Sequence, residues 1–196
     1  MSKWKILVSI LAGSGLLVGI LFLTPVLGGG NTPVEAADNG EFTLCAGQYY
    51  DVGSGTITDD EDSLNFHIDI NAECSLGCIK VAIGDDVNDV YVISEEPDSI
   101  PVNSQGNPVI GHFPYSYPTD CNPSLLPLTG SIDFEIPFDP GDYDSPIIIL
   151  LHAEDVRCGV YFGPETAWAC GIADCGSCAL FPGATHWVYY VEYGFN

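Results

Sequence analysis

Positive charge is what this sequence has least of. Four Lys+Arg stand against 27 Asp+Glu in 196 residues, a formal net charge of −23. Affinity for DNA, RNA and anionic lipid comes from Lys and Arg displacing counterions from phosphate, so no nucleic acid partner is expected. Such a surface attracts cations instead. Its self-repulsion works against a compact fold unless salt, a divalent metal or acidic pH relieves it, and charge alone does not choose among the three. Helical periodicity is also missing, apart from the N-terminal apolar run. There is no Gly-x-Ser-x-Gly nucleophile elbow. The four histidines, His67, His112, His152 and His186, are scattered without His-x3-His spacing, so they read as structural or surface residues and not as zinc ligands. Without a catalytic motif, the reading is a non-catalytic protein.

The N-terminus carries an address. Met1-Ser2-Lys3-Trp4-Lys5 is a short basic start, Ile6 to Leu27 is mostly apolar, and a Gly28-Gly29-Gly30 spacer leads to Val34-Glu35-Ala36-Ala37. This reads as a secretory signal over residues 1–37, cleaved near Ala36 or Ala37. The apolar run also approaches the ~20 residues that span a bilayer, so an uncleaved N-terminal anchor stays open. Either way, residues 38–196 lie outside the cytoplasm, extracellular or at the cell surface, and membrane contact is expected only through an uncleaved segment. This exported part keeps two strong cations, Lys80 and Arg157, against 26 acids, a net −24.

All eight cysteines fall in the exported part: Cys45, Cys74, Cys78, Cys121, Cys158, Cys170, Cys175 and Cys178. An even count in an exported chain predicts four disulfides, with connectivity left open. The alternative is metal or cluster ligation. Cys170-x4-Cys175-x2-Cys178 has the spacing of the first three ligands of a plant-type iron–sulfur site, but no cysteine follows to complete it.

The exported part has the length of one domain, and hydrophobic residues make up 46% of the chain, too many for a disordered one. Its strand pattern is period two. In Leu64-Asn65-Phe66-His67-Ile68-Asp69-Ile70 the apolar residues share one face. Cys78 to Ile83 repeats the pattern, and Val90 to Ile93 is expected to continue the meander. Glu41 to Cys45 and Tyr49 to Thr58 precede them, with Gly53 and Gly55 marking a bulge or a close backbone approach. Ser94 to Thr129 is a long Pro-rich loop, pinned by Phe113, Tyr115 and Tyr117, with Cys121 as a staple. Ile132 to Ile136 alternates again. Ile147 to Ala153 is continuously apolar and reads as a central strand buried on both faces. Short strands are expected at Val160 to Phe162 and at Trp187 to Tyr193. The fold class is therefore all-β, a disulfide-stapled β-sandwich of immunoglobulin-like or jelly-roll type.

Three stretches carry a resemblance. They are Ala46-Gly47-Gln48 with Asp51-Val52-Gly53 and Thr56-Ile57-Thr58; Asn107-Pro108-Val109-Ile110-Gly111-His112-Phe113-Pro114-Tyr115; and Glu165-Thr166-Ala167-Trp168-Ala169 with the closing aromatic segment. Over Phe42 to Tyr193 the chain resembles an uncharacterised secreted microbial all-β surface-protein module. The resemblance implies an extracellular β-domain and brings no catalytic residues. The Cys170–Cys178 insert departs from it.

Acidic turns are the strongest chemical signal. Calcium takes six to eight oxygens, which such turns supply. The candidate metal residues are Asp85, Asp86 and Asp89, followed by Asp59, Asp60 and Asp62, with Ca2+ as the cofactor; the alternative is a set of solvated turns. A third acidic run spans Asp139 to Asp144. Glu165 paired with Glu192 or Asp155 is the glycosidase reading, a pairing that chance supplies readily in so acidic a chain. Tyr115 and Tyr117 are candidates for stacking on sugar rings, against the plainer reading that they pin the loop. The function expected is a non-catalytic extracellular structural or interaction module, self-assembling or part of a surface layer, matrix or filament. Its partners would be other copies or cell-surface components. A carbohydrate-binding module is the first alternative and a secreted hydrolase the second.

Overall fold

The structure is a computed structural model describing residues 40–87, 90–92, 99–121, 127–159, 165–171 and 174–195. The N-terminal segment 1–37, Asp89 and the strand expected at Val160–Phe162 lie outside the described residues.

Twelve strands are found among them. They are β1 Glu41–Ala46, β2 Tyr50–Asp59, β3 Ser63–Ile70, β4 Cys74–Ser75, β5 Cys78–Gly84, β6 Val90–Val92, β7 Ile100–Val102, β8 Tyr115–Tyr117, β9 Ser131–Pro137, β10 Ile147–Cys158, β11 Glu165–Gly171 and β12 Val191–Tyr193. The main sheet runs β8-β5-β10-β11-β1-β2-β3-β9, with every neighbour antiparallel. Its two end strands approach through rings: Tyr117 of β8 stacks on Phe134 of β9 with centroids 5.1 Å apart, and Phe134 stacks on Phe66 of β3 at 4.8 Å. The all-β, disulfide-stapled class expected from the sequence is what the structure has, and its form is a nearly closed antiparallel sheet.

Alternation explains the inner core. Leu64, Phe66, Ile68 and Ile70 of β3 are buried while Asn65, His67 and Asp69 face outward. They meet Ile79, Val81 and Ile83 of β5 and Ile147, Ile149, Leu151 and Ala153 of β10 in one cluster. The glycines of β2 permit a close approach. A Cβ on Gly55 would strike the Phe42 ring, and one on Gly53 would strike the Asp69 carbonyl. The register also shifts at Leu44/Cys45, opposite this stretch, so the bulge expected there is present as well.

The continuous run in β10 is buried on both faces, as its composition predicts. Ile148 and Leu150 point away from the inner core into a second cluster with Cys45, Trp168 and Cys170. This outer cluster is roofed by Ile100, Val102 and Phe113 from the Pro-rich segment and by Phe181, Val188 and Tyr189 from the C-terminal one. The long loop is pinned as expected: β8 pairs with β5, and Cys121 is bonded to Cys78. The other disulfides are Cys45–Cys175, Cys74–Cys158 and Cys170–Cys178, and no cysteine is free.

Two expectations are corrected. β6 does not continue the meander; it pairs in parallel with β7 in a separate two-stranded sheet. The edge of β5 that a meander would fill is taken by β8. The closing aromatic segment is a strand only over Val191–Tyr193. One edge of β10 is shared: β11 holds it at His152, Ala153 and Val156, so β12 finds room only beside Ile147–Ile149. The residues before it turn across the outer face, leaving Trp187 52% exposed.

Candidate ligand-binding cleft

The register between β10 and β11 sets His152 opposite Trp168, and their rings lie 4.4 Å apart. Both sit on the outer face, next to the roofed cluster. Phe113 holds the indole from one side, edge to face, at 6.4 Å. Beyond these rings lies a cleft of about 360 Å³. Asn107, Pro108 and Ile110 line it from the Pro-rich segment, and His186 and Trp187 from the C-terminal one, with Glu165 and Thr166 from β11.

The two lining segments are tied together. Thr185 donates to Asn107 Oδ1 through both its backbone N–H, at 2.7 Å, and its hydroxyl, at 2.9 Å. The hydroxyl also lies 3.0 Å from His186 Nδ1. Asn103 Oδ1 accepts the backbone N–H groups of Gln105 and Asn107, which shapes the turn presenting Asn107. Gly106 and Gly183, both at φ +81, meet where the segments touch.

His152 is only 2% exposed, and its Nδ1 is a buried side-chain atom with no hydrogen-bond partner among the described residues. Burial, and then the neighbouring Lys80 ammonium, push its pKa down to about 3. The ring is therefore neutral in ordinary solution, with one donor and one acceptor. Lys80 is itself held by Glu154 at 2.8 Å. An unmatched buried polar atom costs about 1–3 kcal/mol, and this one is shut away from the cleft by the ring's own burial. The cleft thus offers a buried indole, an exposed indole, two imidazoles and one carboxylate.

The sequence-derived candidates fall elsewhere. Asp59 Oδ1 accepts the Tyr193 hydroxyl at 2.5 Å. Asp60 accepts the Ser63 backbone N–H and hydroxyl, the Asp62 N–H and the Asn65 amide, and these bonds hold its carboxyl below the usual range. Asp85 accepts the Asp144 backbone N–H at 2.8 Å, joining the second acidic turn to the third, and Asp86 beside it is exposed. Among the described residues, the donor sets lying within 4.8 Å are Cys45, Cys170 and Cys178, and Cys78, Cys121 and Glu154.

The glycosidase pairing with Glu192 fails on geometry. Glu192 stands opposite Ile148 and Glu165 opposite Val156. At ~3.3 Å per residue these points on β10 are ~26 Å apart, against the ~5–9.5 Å that glycosidases use. Asp155 is engaged by Arg157 at 2.9 Å, and neither it nor Glu192 lines the cleft. Tyr115 packs against the inner core and Tyr117 on Phe134, so both pin the loop. The aromatics facing the cleft are Trp168 and Trp187.

Sequence reasoning missed His152 and His186 because their meeting depends on strand register and loop path, not on spacing. The one available signal was a histidine, His152, inside the apolar run Ile147 to Ala153. A larger hollow of about 460 Å³ lies over β2, β3 and β9, lined by Thr56, Thr58, His67, Asp133 and Glu135. His67 Nδ1 lies 2.7 Å from Asp133 and Nε2 3.5 Å from Asp69, so its ring is already partnered. No protein-family model matches the chain, and no curated protein or solved structure matches it.

Proposed function

We propose that the protein is an extracellular, non-catalytic interaction module that seats a neutral sugar ring in the His152–Trp168 cleft. The observation carrying this reading is that one cleft is lined by two indoles, Trp168 and Trp187, together with the polar side chains of Asn107, Glu165 and His186. A sugar presents an apolar C–H face and a rim of hydroxyls, which suit the indoles and the exposed His186 and Glu165 respectively. The surplus of carboxylates favours neutral glycans over anionic ones. Four disulfides accord with an oxidising location.

The test is binding of the exported chain to a panel of neutral, acidic and amino glycans, followed by calorimetry on any that bind. Trp187→Ala is expected to weaken binding at least about tenfold, as truncating a central aromatic does. Absence of binding to every neutral glycan would remove the reading.

Assembly of copies has one observation in its favour. Among the described residues β9 has a ladder only to β3, so the part of its outer edge away from the Tyr117–Phe134 contact with β8 can template another strand. Sedimentation of the exported chain at low and high salt tests it: salt-dependent oligomers support assembly, and a monomer throughout rejects it.

A further inference from the structure

The motif Cys170-x4-Cys175-x2-Cys178 supplies three sulfurs, and the fold supplies a fourth from far upstream. β1 and β11 are adjacent, with Cys45 opposite Trp168 and Thr43 opposite Cys170. The turn Cys175–Ser177 then brings Cys175 and Cys178 onto the same outer face. Cys45 is bonded to Cys175 and Cys170 to Cys178. Between the two bonds, Cys45 Sγ and Cys178 Sγ are 3.7 Å apart without being linked. The sulfurs of Cys45, Cys170 and Cys178 all lie within 4.8 Å of one another. Zinc holds four thiolates at ~2.3 Å in a tetrahedron, whose edges are then ~3.8 Å. The unbonded separation already has that value, and opening the two S–S bonds releases the others.

We infer that Cys45, Cys170, Cys175 and Cys178 form a tetrathiolate site for one zinc ion, filled in the reduced chain and lost on oxidation to the two disulfides. The electrons come from a dithiol. Each disulfide takes two electrons and two protons, and the dithiol leaves as its own disulfide. The four thiols then release four protons as one Zn2+ binds four thiolates. The second sulfur group, Cys78 and Cys121 with Glu154, has only three donors, and its carboxylate is held by Lys80. It serves as an internal control.

In the experiment the whole chain is reduced with a phosphine, which becomes its oxide with oxygen from water and competes little for metal. Cobalt(II) is titrated first and then displaced by zinc. One cobalt per chain is expected, with thiolate-to-metal charge transfer and the absorption of a tetrahedral ion, both bleached by zinc. Alkylation with zinc bound is mapped by mass spectrometry. Cys45, Cys170, Cys175 and Cys178 should be protected, and Cys74, Cys158, Cys78 and Cys121 modified. Cys178→Ser should raise the Kd at least about tenfold, no less than the loss of an outer partner of a ligand does. The inference is overturned by no tetrahedral spectrum, by protection centred on Cys78 and Cys121, or by wild-type affinity in Cys178→Ser. Should that variant not fold, the map on the unaltered chain decides.

Discussion

The hydroxyl of Tyr193, in the last strand, donates to the carboxylate of Asp59 at the end of β2, 2.5 Å away. Tyr193 is 5% exposed, and burial, with the Asp59 bond second, raises its pKa. A phenol held this way stays protonated, and its bond joins two strands that share no ladder.

Removing that hydroxyl leaves Asp59 without its donor. Tyr193→Phe is expected to cost about 1.5–3 kcal/mol, the range for a hydrogen bond to a charged group. Urea unfolding of both proteins measures it. A double-mutant cycle with Asp59→Asn should find the two changes far from additive.

His152 gives stability a pH dependence of definite sign. Its pKa is depressed in the fold, from an ordinary 6.5 to about 3. Between those values the unfolded chain binds the proton and the folded one does not, so stability rises with pH across the window. It is present above about pH 6.5 and lost as pH falls towards 3, by about 4–5 kcal/mol at the limit. His152→Leu, compared with the parent from pH 7 to pH 4, should flatten this part of the profile.

His67 should behave in the opposite sense. The hydrogen bond to Asp133 raises its pKa, with Asp69 adding to the effect. The stability it contributes is complete below its ordinary 6.5 and disappears as pH rises through the raised value. Imidazole resonances separate the two rings: His67 should titrate above 6.5, and His152 should not titrate before unfolding. Asp133→Asn should bring the His67 midpoint down.

Calcium provides a test of the acidic turns. Screening depends on ionic strength and not on the identity of the ion, whereas a specific site stabilises by RT ln(1 + [L]/Kd). Millimolar calcium is expected to raise Tm more than sodium chloride of matched ionic strength, and Asp85→Asn with Asp89→Asn to blunt the difference. Equal effects of the two salts would leave screening as the whole account.

Local pattern and long-range register were legible to different degrees. β3 and β10 were readable because side-chain alternation and a two-faced apolar run are properties of a few adjacent residues. The disulfide staples followed from an even cysteine count, all of it after the N-terminal apolar run. Competition for one strand edge was not readable. That β8 occupies the edge of β5, and that β11 leaves β12 only three residues of β10, depends on segments far apart in sequence. The same limit hid the cleft: nothing near His152 names Trp168 as its neighbour, and nothing near Cys170 names Cys45.

The position of β1 has a consequence for the growing chain. It sits between β2, which follows at once, and β11, whose disulfide-bearing loop is bonded back across 130 positions through Cys45–Cys175. Until β11 exists, one flank of β1 is a bare row of amides and carbonyls, ready to pair with any strand it meets. A nascent or truncated chain ending before Glu165 is therefore a sticky fragment and not a smaller domain. Chaperoning during synthesis, and rapid clearance of incomplete product, are demands that this connectivity places on any cell that makes the protein.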